Sequence, residues 1–153
     1  MSPDWPTVDL DPITQLRAVH AGLPGTALEE RVLDVAYDAF WARVDDIETF
    51  VPTIDPLVRH MKVTARVGDS IECRSDLFRL EGELRSGFMW MQSRRGAGRL
   101  FVVGTAAVAT QDGRTRVAHL EGLRLPGARV LRPWFRRTVR WDLNGMERLT
   151  RSF

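Results

Sequence analysis

The chain has 153 residues, 44% of them hydrophobic and 27% charged, with a formal net charge of +2. That length suits one domain with a single core, and the composition excludes a disordered tail or a collagen-like repeat. A lone cysteine, Cys73, excludes an intrachain disulfide framework and a multi-cysteine zinc site. The longest apolar run, residues 100–109, is roughly half of what a bilayer crossing takes, so no integral membrane segment is expected. The opening Met-Ser-Pro-Asp-Trp-Pro has neither the basic region nor the apolar core of a secretory signal, and a cytoplasmic protein is expected.

Residues 1–25 carry three Asp and one Arg and read as an N-terminal appendage. Within it Asp11 is a good N-cap, Pro12 suits the first helical position and Gly22 the stop, so a short helix is expected over 12–21. Its apolar stripe is Ile13, Leu16, Val19 and Leu23. Leu23-Pro24-Gly25 then separates it from a single domain over 26–153. That domain opens with a strand over 28–35. A helix follows in which Phe40, Trp41 and Val44 recur at helical spacing. A second short helix, capped by Asp46, carries Ile47 and Phe50 and is expected to end at Pro52 and Pro56.

Residues 57–125 alternate apolar and polar positions between turn signals, the pattern of antiparallel strands. One row holds Leu57, Met61, Val63, Ala65 and Val67, and the next Ile71, Cys73, Ser75 and Leu77. A long run then places Leu80, Leu84, Phe88 and Trp90 together, with Ser86-Gly87 as a break or bulge. Gly96-Ala97-Gly98 turns the chain into a strand over 100–110, where alternation fades and both sides are expected to be covered. Asp112-Gly113 is a hairpin signal. The last strand, 115–125, puts Val117, His119, Glu121, Leu123 and Leu125 on one face.

After Pro126-Gly127 a long helix is expected to about residue 150. Leu131, Phe135, Met146, Leu149 and Phe153 share one face, flanked by Trp134 and Val139, while Arg129, Arg132, Arg136, Arg140 and Arg151 lie opposite. Pro133 shifts the helix start or kinks it, and Gly145 permits close approach to a sheet or a ligand. Residues 126–153 carry seven Arg against Asp142 and Glu147. That segment suits phosphates or an anionic surface, or is a solvated helix face. The chain has one lysine, so its arginine bias is general and does not argue for nucleic acid.

This order is strand, two short helices, about six antiparallel strands and one long amphipathic helix. It resembles the helix-grip fold of the SRPBCC superfamily, which includes START domains, Bet v 1-like proteins and bacterial polyketide cyclase/dehydratase-like proteins. The segment Val35-Ala36-Tyr37-Asp38-Ala39-Phe40-Trp41-Ala42-Arg43-Val44-Asp45-Asp46-Ile47-Glu48-Thr49-Phe50-Val51-Pro52 carries the likeness. There a strand ends in a small residue, an aromatic follows inside the first helix and an Asp opens the second. The family's frequent proline near Ala36 and tryptophan near Val51 are absent. The resemblance covers residues 28–152 and implies an α+β fold, a curved antiparallel sheet wrapped around the long C-terminal helix. It implies little about activity, since binders, transfer proteins and cyclases share the fold.

A curved sheet closed by one helix leaves a cavity, and the apolar rows are its expected walls. The residues expected to line it are Leu84, Phe88, Trp90, Val103, His119, Glu121, Leu123, Trp134, Thr138 and Asp142. Gly104, Ala106, Ala107 and Ala109 either leave room for a ligand or are filled by neighbours such as Trp90 and Trp141. Asp142 lies in the apolar stripe one turn after Thr138. It is either a ligand anchor or an Asp tied to an arginine or indole N–H, with Thr138 as a candidate donor. His119 and Glu121 are the candidate acid–base pair, provided that their strand face is the concave one. Cys73 reads as a small buried hydrophobe. Three histidines at 20, 60 and 119 lack metal-ligand spacing, and no metal or organic cofactor is expected. These features fit a binder or carrier of a small hydrophobic molecule such as a lipid, polyketide or quinone. The alternative is a cyclase/dehydratase-like enzyme working in the same cavity.

Overall fold

The computed structural model describes residues 10–93 and 101–152. The elements run α1 (Pro12–Ala21), β1 (Thr26–Leu33), α2 (Tyr37–Asp45), α3 (Ile47–Ile54), β2 (Met61–Val67), β3 (Ser70–Ser75), β4 (Arg79–Arg85), β5 (Phe88–Ser93), β6 (Phe101–Ala109), β7 (Thr115–Leu123) and α4 (Arg132–Thr150). A short 3-10 turn, Ala128–Leu131, leads into α4. Seven strands form one antiparallel sheet in the order β1-β7-β6-β5-β4-β3-β2. The sheet curls around α4, and α2 and α3 close one end, so the fold is the α+β helix grip.

Local chemistry accounts for the elements. Asp11 caps α1 by accepting from the Thr14 N–H at 3.0 Å, and Pro12 occupies the first turn, where its missing N–H costs nothing. Gly87, at φ +80°, completes the tight β4–β5 turn. Pro133 sits in the first turn of α4 and sets its start, with no break further along the helix. Pro52, expected to end α3, lies inside it. The helix continues to Ile54 and closes when the Asp55 N–H bonds the Val51 carbonyl at 2.9 Å.

Each face of the sheet is buried against something different. The concave face meets α2, α3 and α4 in the main core, with Phe40, Val44, Ile47, Leu143 and Met146 almost wholly enclosed. The convex face carries Val102, Ala106, Ala118 and Leu120 beneath α1, whose Ile13 and Leu16 are 2% and 0% exposed. Burying two such side chains stabilises by about 2 kcal/mol each. Arg17 of α1 also pairs with Glu30 of β1 at 2.6 Å on the surface.

Several expected placements change. Phe88 and Trp90 lie on the convex face beside α1, while Met89 and Met91 take the concave one. Directly opposed residues on antiparallel strands share a face. Leu84 pairs with Met89, so the two-residue turn reverses the odd–even parity of the run. Gly104 and Ala106 leave room for α1: a Cβ on Gly104 would lie 2.7 Å from Leu16 Cδ1. Gly145 serves neither sheet nor ligand, because the close backbone there is Ile54 of α3. Leu131 is 42% exposed, since the 3-10 turn has a different angular step from α4 and carries it off the inward stripe. The Gly96–Gly98 turn and Phe153 fall outside the described residues.

Candidate functional site

Between the concave face, α3 and α4 lies a cavity of about 260 Å³ that opens to solvent. Of the residues expected to line it, Val103, His119, Glu121, Leu123, Trp134, Thr138 and Asp142 do. Leu84 is buried in the adjoining core without reaching the cavity, and Phe88 and Trp90 are on the other side of the sheet. Trp141 does not fill it either, and instead packs edge-on against Trp134 at 6.3 Å. Sequence reasoning missed the contribution of α3 and the loop after it, which supply Phe50, Ile54, Asp55 and Leu57. It also missed Met89, Met91, Phe101 and Phe135. The helical spacing of Phe50 and Ile54 was a usable signal for an inward face, whereas the methionines depended on the turn parity.

The wall is apolar except for Asp55, Ser75 and one buried cluster. His119 and Glu121 project from β7, and Asp142 and Thr138 face them from α4. The side chains of His119, Glu121 and Asp142 are 1%, 6% and 4% exposed. His119 Nε2 lies 2.9 Å from Asp142 Oδ2 and 3.2 Å from Glu121 Oε1. His119 Nδ1 lies 2.8 Å from Thr105 Oγ1 on the neighbouring strand β6, which fixes the ring's orientation. Thr138 Oγ1 donates to Glu121 Oε2 at 2.7 Å, with the Phe135 carbonyl at 3.0 Å as its alternative acceptor. Asp142 is therefore held by an imidazole, not by an arginine or an indole. Thr138 serves Glu121, not Asp142.

The protonation pattern follows from burial and these contacts. Burial opposes a charged imidazole, but the hydrogen bonds to Asp142 and Glu121 outweigh it and raise His119 to about 10. Burial raises Asp142 to about 9, aided by its hydrogen bond with Glu121 and opposed by His119. Glu121 is also opposed by burial, yet the hydrogen bonds from Asp142 and His119 bring it down to about 2. At neutral pH the cluster is thus an imidazolium, a carboxylate and a neutral carboxylic acid. Its net charge is zero, the state an apolar wall tolerates best.

Other ionisable groups contribute less. Asp55 stands at the mouth, raised mainly by burial and partly offset by the Leu57 N–H that it accepts at 2.8 Å. Burial pushes the Cys73 thiol up to about 11, so it packs as a small apolar side chain. One donor atom each from His119, Glu121 and Asp142 lies within 4.8 Å of the others, a spacing a single divalent cation spans. As arranged, those atoms hydrogen-bond to one another.

No family model and no curated protein matches the sequence. Solved structures do match. The Zhui aromatase/cyclase from Streptomyces sp. R1128 superposes with a TM-score of 0.67 at 12% identity, covering 82% of this chain and 93% of that one. A START superfamily protein from Mycobacterium smegmatis gives 0.63 at 11% identity, covering 83% and 97%. Ara h 8.0201 gives 0.57 at 13% identity, covering 84% and 98%. At such identities the likeness establishes architecture alone: the chain has the helix-grip fold that these structures share.

Proposed function

We propose that the chain binds a small hydrophobic molecule whose polar group meets the His119–Glu121–Asp142 cluster. The carrying observation is the cavity itself, apolar along its length with a hydrogen-bonding cluster set into its wall. Close-packed cores do not leave such a volume open. A ligand hydroxyl would donate to a remaining lone pair of the Asp142 or Glu121 carboxyl, and a ligand carbonyl would compete with Glu121 for the Asp142 proton. The fold shared with START and Bet v 1-like proteins supports the general class, and lipids, polyketides and quinones all fit it. Solvent extraction of the purified protein followed by mass spectrometry tests the reading. One dominant apolar compound, displaced by Val103→Phe, is expected; recovery of none, with no apolar probe bound, would refute it.

The protonation pattern favours a second reading, a cyclase/dehydratase-like enzyme. Two adjacent carboxyl groups differ in protonation, so one can give and the other take a proton, and a substrate that displaces the His119 and Asp142 contacts would restore the basicity of Glu121. On a β-hydroxy carbonyl substrate, Glu121 would take the proton α to the carbonyl. Asp142 would then protonate the departing hydroxyl, releasing water and leaving a conjugated product. A neighbouring structure carries the name aromatase/cyclase, which supports this reading by analogy of fold alone. Loss of water from a model β-hydroxy ketone, abolished by Glu121→Gln with binding retained, is the expected result. Turnover unchanged by that substitution would remove the catalytic reading.

A further inference from the structure

Among the described residues, nine large apolar side chains are exposed; Leu10, Val32 and Val67 lie apart, and the other six are in the cavity lining or near it in sequence. Leu57, Leu77 and Trp134 rim the cavity mouth and are 51%, 54% and 49% exposed. Val130 and Leu131, in the turn just before Trp134, are 80% and 42% exposed. Leu125 and Arg129 line a shallow groove beside them, which Leu123 connects to the cavity wall. A monomer has no reason of stability to gather such side chains in solvent, and a contiguous apolar patch marks a contact surface.

The charge around that patch is one-sided. Between Glu121 and Asp142 the sequence holds six arginines and no acidic residue, and one of the six, Arg140, is paired with Glu29 at 2.8 Å. Arg124, Arg129, Arg136 and Arg137 are exposed. Arg137 also lies over the Trp141 ring at 5.4 Å, so guanidinium and indole share one surface beside Trp134. Asp55, in the cavity lining, and Asp76, beside Leu77 in the sequence, are turned to backbone donors. Asp55 accepts from the Leu57 N–H at 2.8 Å, and Asp76 from the Arg59 N–H at 3.2 Å.

We propose that this patch docks on a bilayer surface containing anionic phospholipid. Val130, Leu131 and Trp134 enter the boundary between headgroups and acyl chains, and the surrounding arginines meet the lipid phosphates. Aliphatic side chains, a tryptophan and arginines on one small surface match both layers of that boundary. The attachment is peripheral, for no described helix is long and apolar enough to cross a membrane. Docking would bring the cavity mouth against the lipid, because Leu57, Leu77 and Trp134 belong to both. The proposal does not depend on what the cavity holds.

The test is flotation of the full chain with vesicles of phosphatidylcholine alone or with about 30% phosphatidylglycerol. Binding to the anionic vesicles only is expected, weakening about tenfold or more between roughly 0.05 and 0.5 M salt. The pair Arg129→Glu with Arg136→Glu, and separately the pair Val130→Ser with Leu131→Ser, should each weaken it about tenfold. All four positions are exposed and lie outside the cavity wall, so both variants should melt as the parent does. Quenching of tryptophan fluorescence by brominated lipid gives a second readout on the unaltered chain. The proposal falls if anionic vesicles fail to bind at low salt, or if both double variants bind like the parent. It falls equally if a DNA duplex binds through the arginines while vesicles do not. Self-association abolished by the Val130 and Leu131 changes, without lipid binding, would assign the patch to a second copy of the chain.

Discussion

The two faces of the sheet solve opposite problems. Under α1 the convex face is closed: Gly104 and Ala106 leave a trough, and Leu16 fills it to 0% exposure. On the concave face α4 lies across larger side chains and leaves a cavity with a charged cluster in its wall. Small residues in a strand therefore do not announce ligand space. The helix above decides, because whatever it fails to reach stays open.

Removing α1 breaks the comparison most forcefully. A chain beginning at Gly25 loses the buried Ile13 and Leu16 and should be destabilised by about 3–5 kcal/mol in chemical denaturation. Because α1 touches only the convex side, the cavity should keep an apolar probe within about twofold of its affinity. A collapse in probe binding with an intact fold would show that the two faces are not independent.

Next comes His119→Ala, which leaves two buried carboxyl groups without their cation and should cost about 2–4 kcal/mol. Asp142→Asn should cost less than about 1 kcal/mol at neutral pH, since it replaces a neutral acid with a neutral amide of the same shape. Thermal unfolding of the two variants side by side checks the ranking. Equal large losses would mean that Asp142 is ionised in the folded state.

The pH dependence has a definite sign. His119 is raised from 6.5 to about 10, so its contribution is complete below pH 6.5 and lost as pH climbs through about 10. Asp142, raised from 3.8 to about 9, acts in the same direction over its own window. Glu121, lowered from 4.5 to about 2, opposes them only in acid: its contribution is present above 4.5 and lost toward 2. Between about pH 7 and 9 stability should therefore fall, by up to about 1.4 kcal/mol per pH unit for each proton the folded state retains. Urea titrations across that range should show a shallower fall in Asp142→Asn. A rise with pH would invert the assignment.

The smallest expected effect separates neighbours on one strand. Trp90→Ala should lower stability by about 1–2 kcal/mol and leave probe binding unchanged, whereas Met91→Ala should change the affinity. Calorimetric titration of both variants decides which face each residue serves.

Most of the frame was legible because it rests on local signals. Asp11-Pro12 and Gly22 bound α1 as residue chemistry requires, and alternation placed His119 and Glu121 on one face of β7. What failed were relations between elements. The face of Phe88 and Trp90 turned on whether Ser86-Gly87 bulged a strand or ended it, and a single-residue change of parity moves every side chain across the sheet. The partner of Asp142 lies on a strand 23 residues earlier in the chain, so spacing within α4 could not reveal it. The exposure of Leu131 arose the same way, from a turn whose step differs from that of the helix it leads into.

The close approach at Gly145 has a mechanical consequence. A Cβ there would lie 2.8 Å from both the Cα and the carbonyl oxygen of Ile54, so α3 rests backbone against backbone on α4. Ile54 also lines the cavity, which makes that stretch of its wall part of a clamp. Such a joint has no side chain to rotate away, and the aperture on that side has a fixed radius. Widening for a bulky guest falls to exposed lining side chains such as Leu77 and Trp134, which can swing on their own torsions.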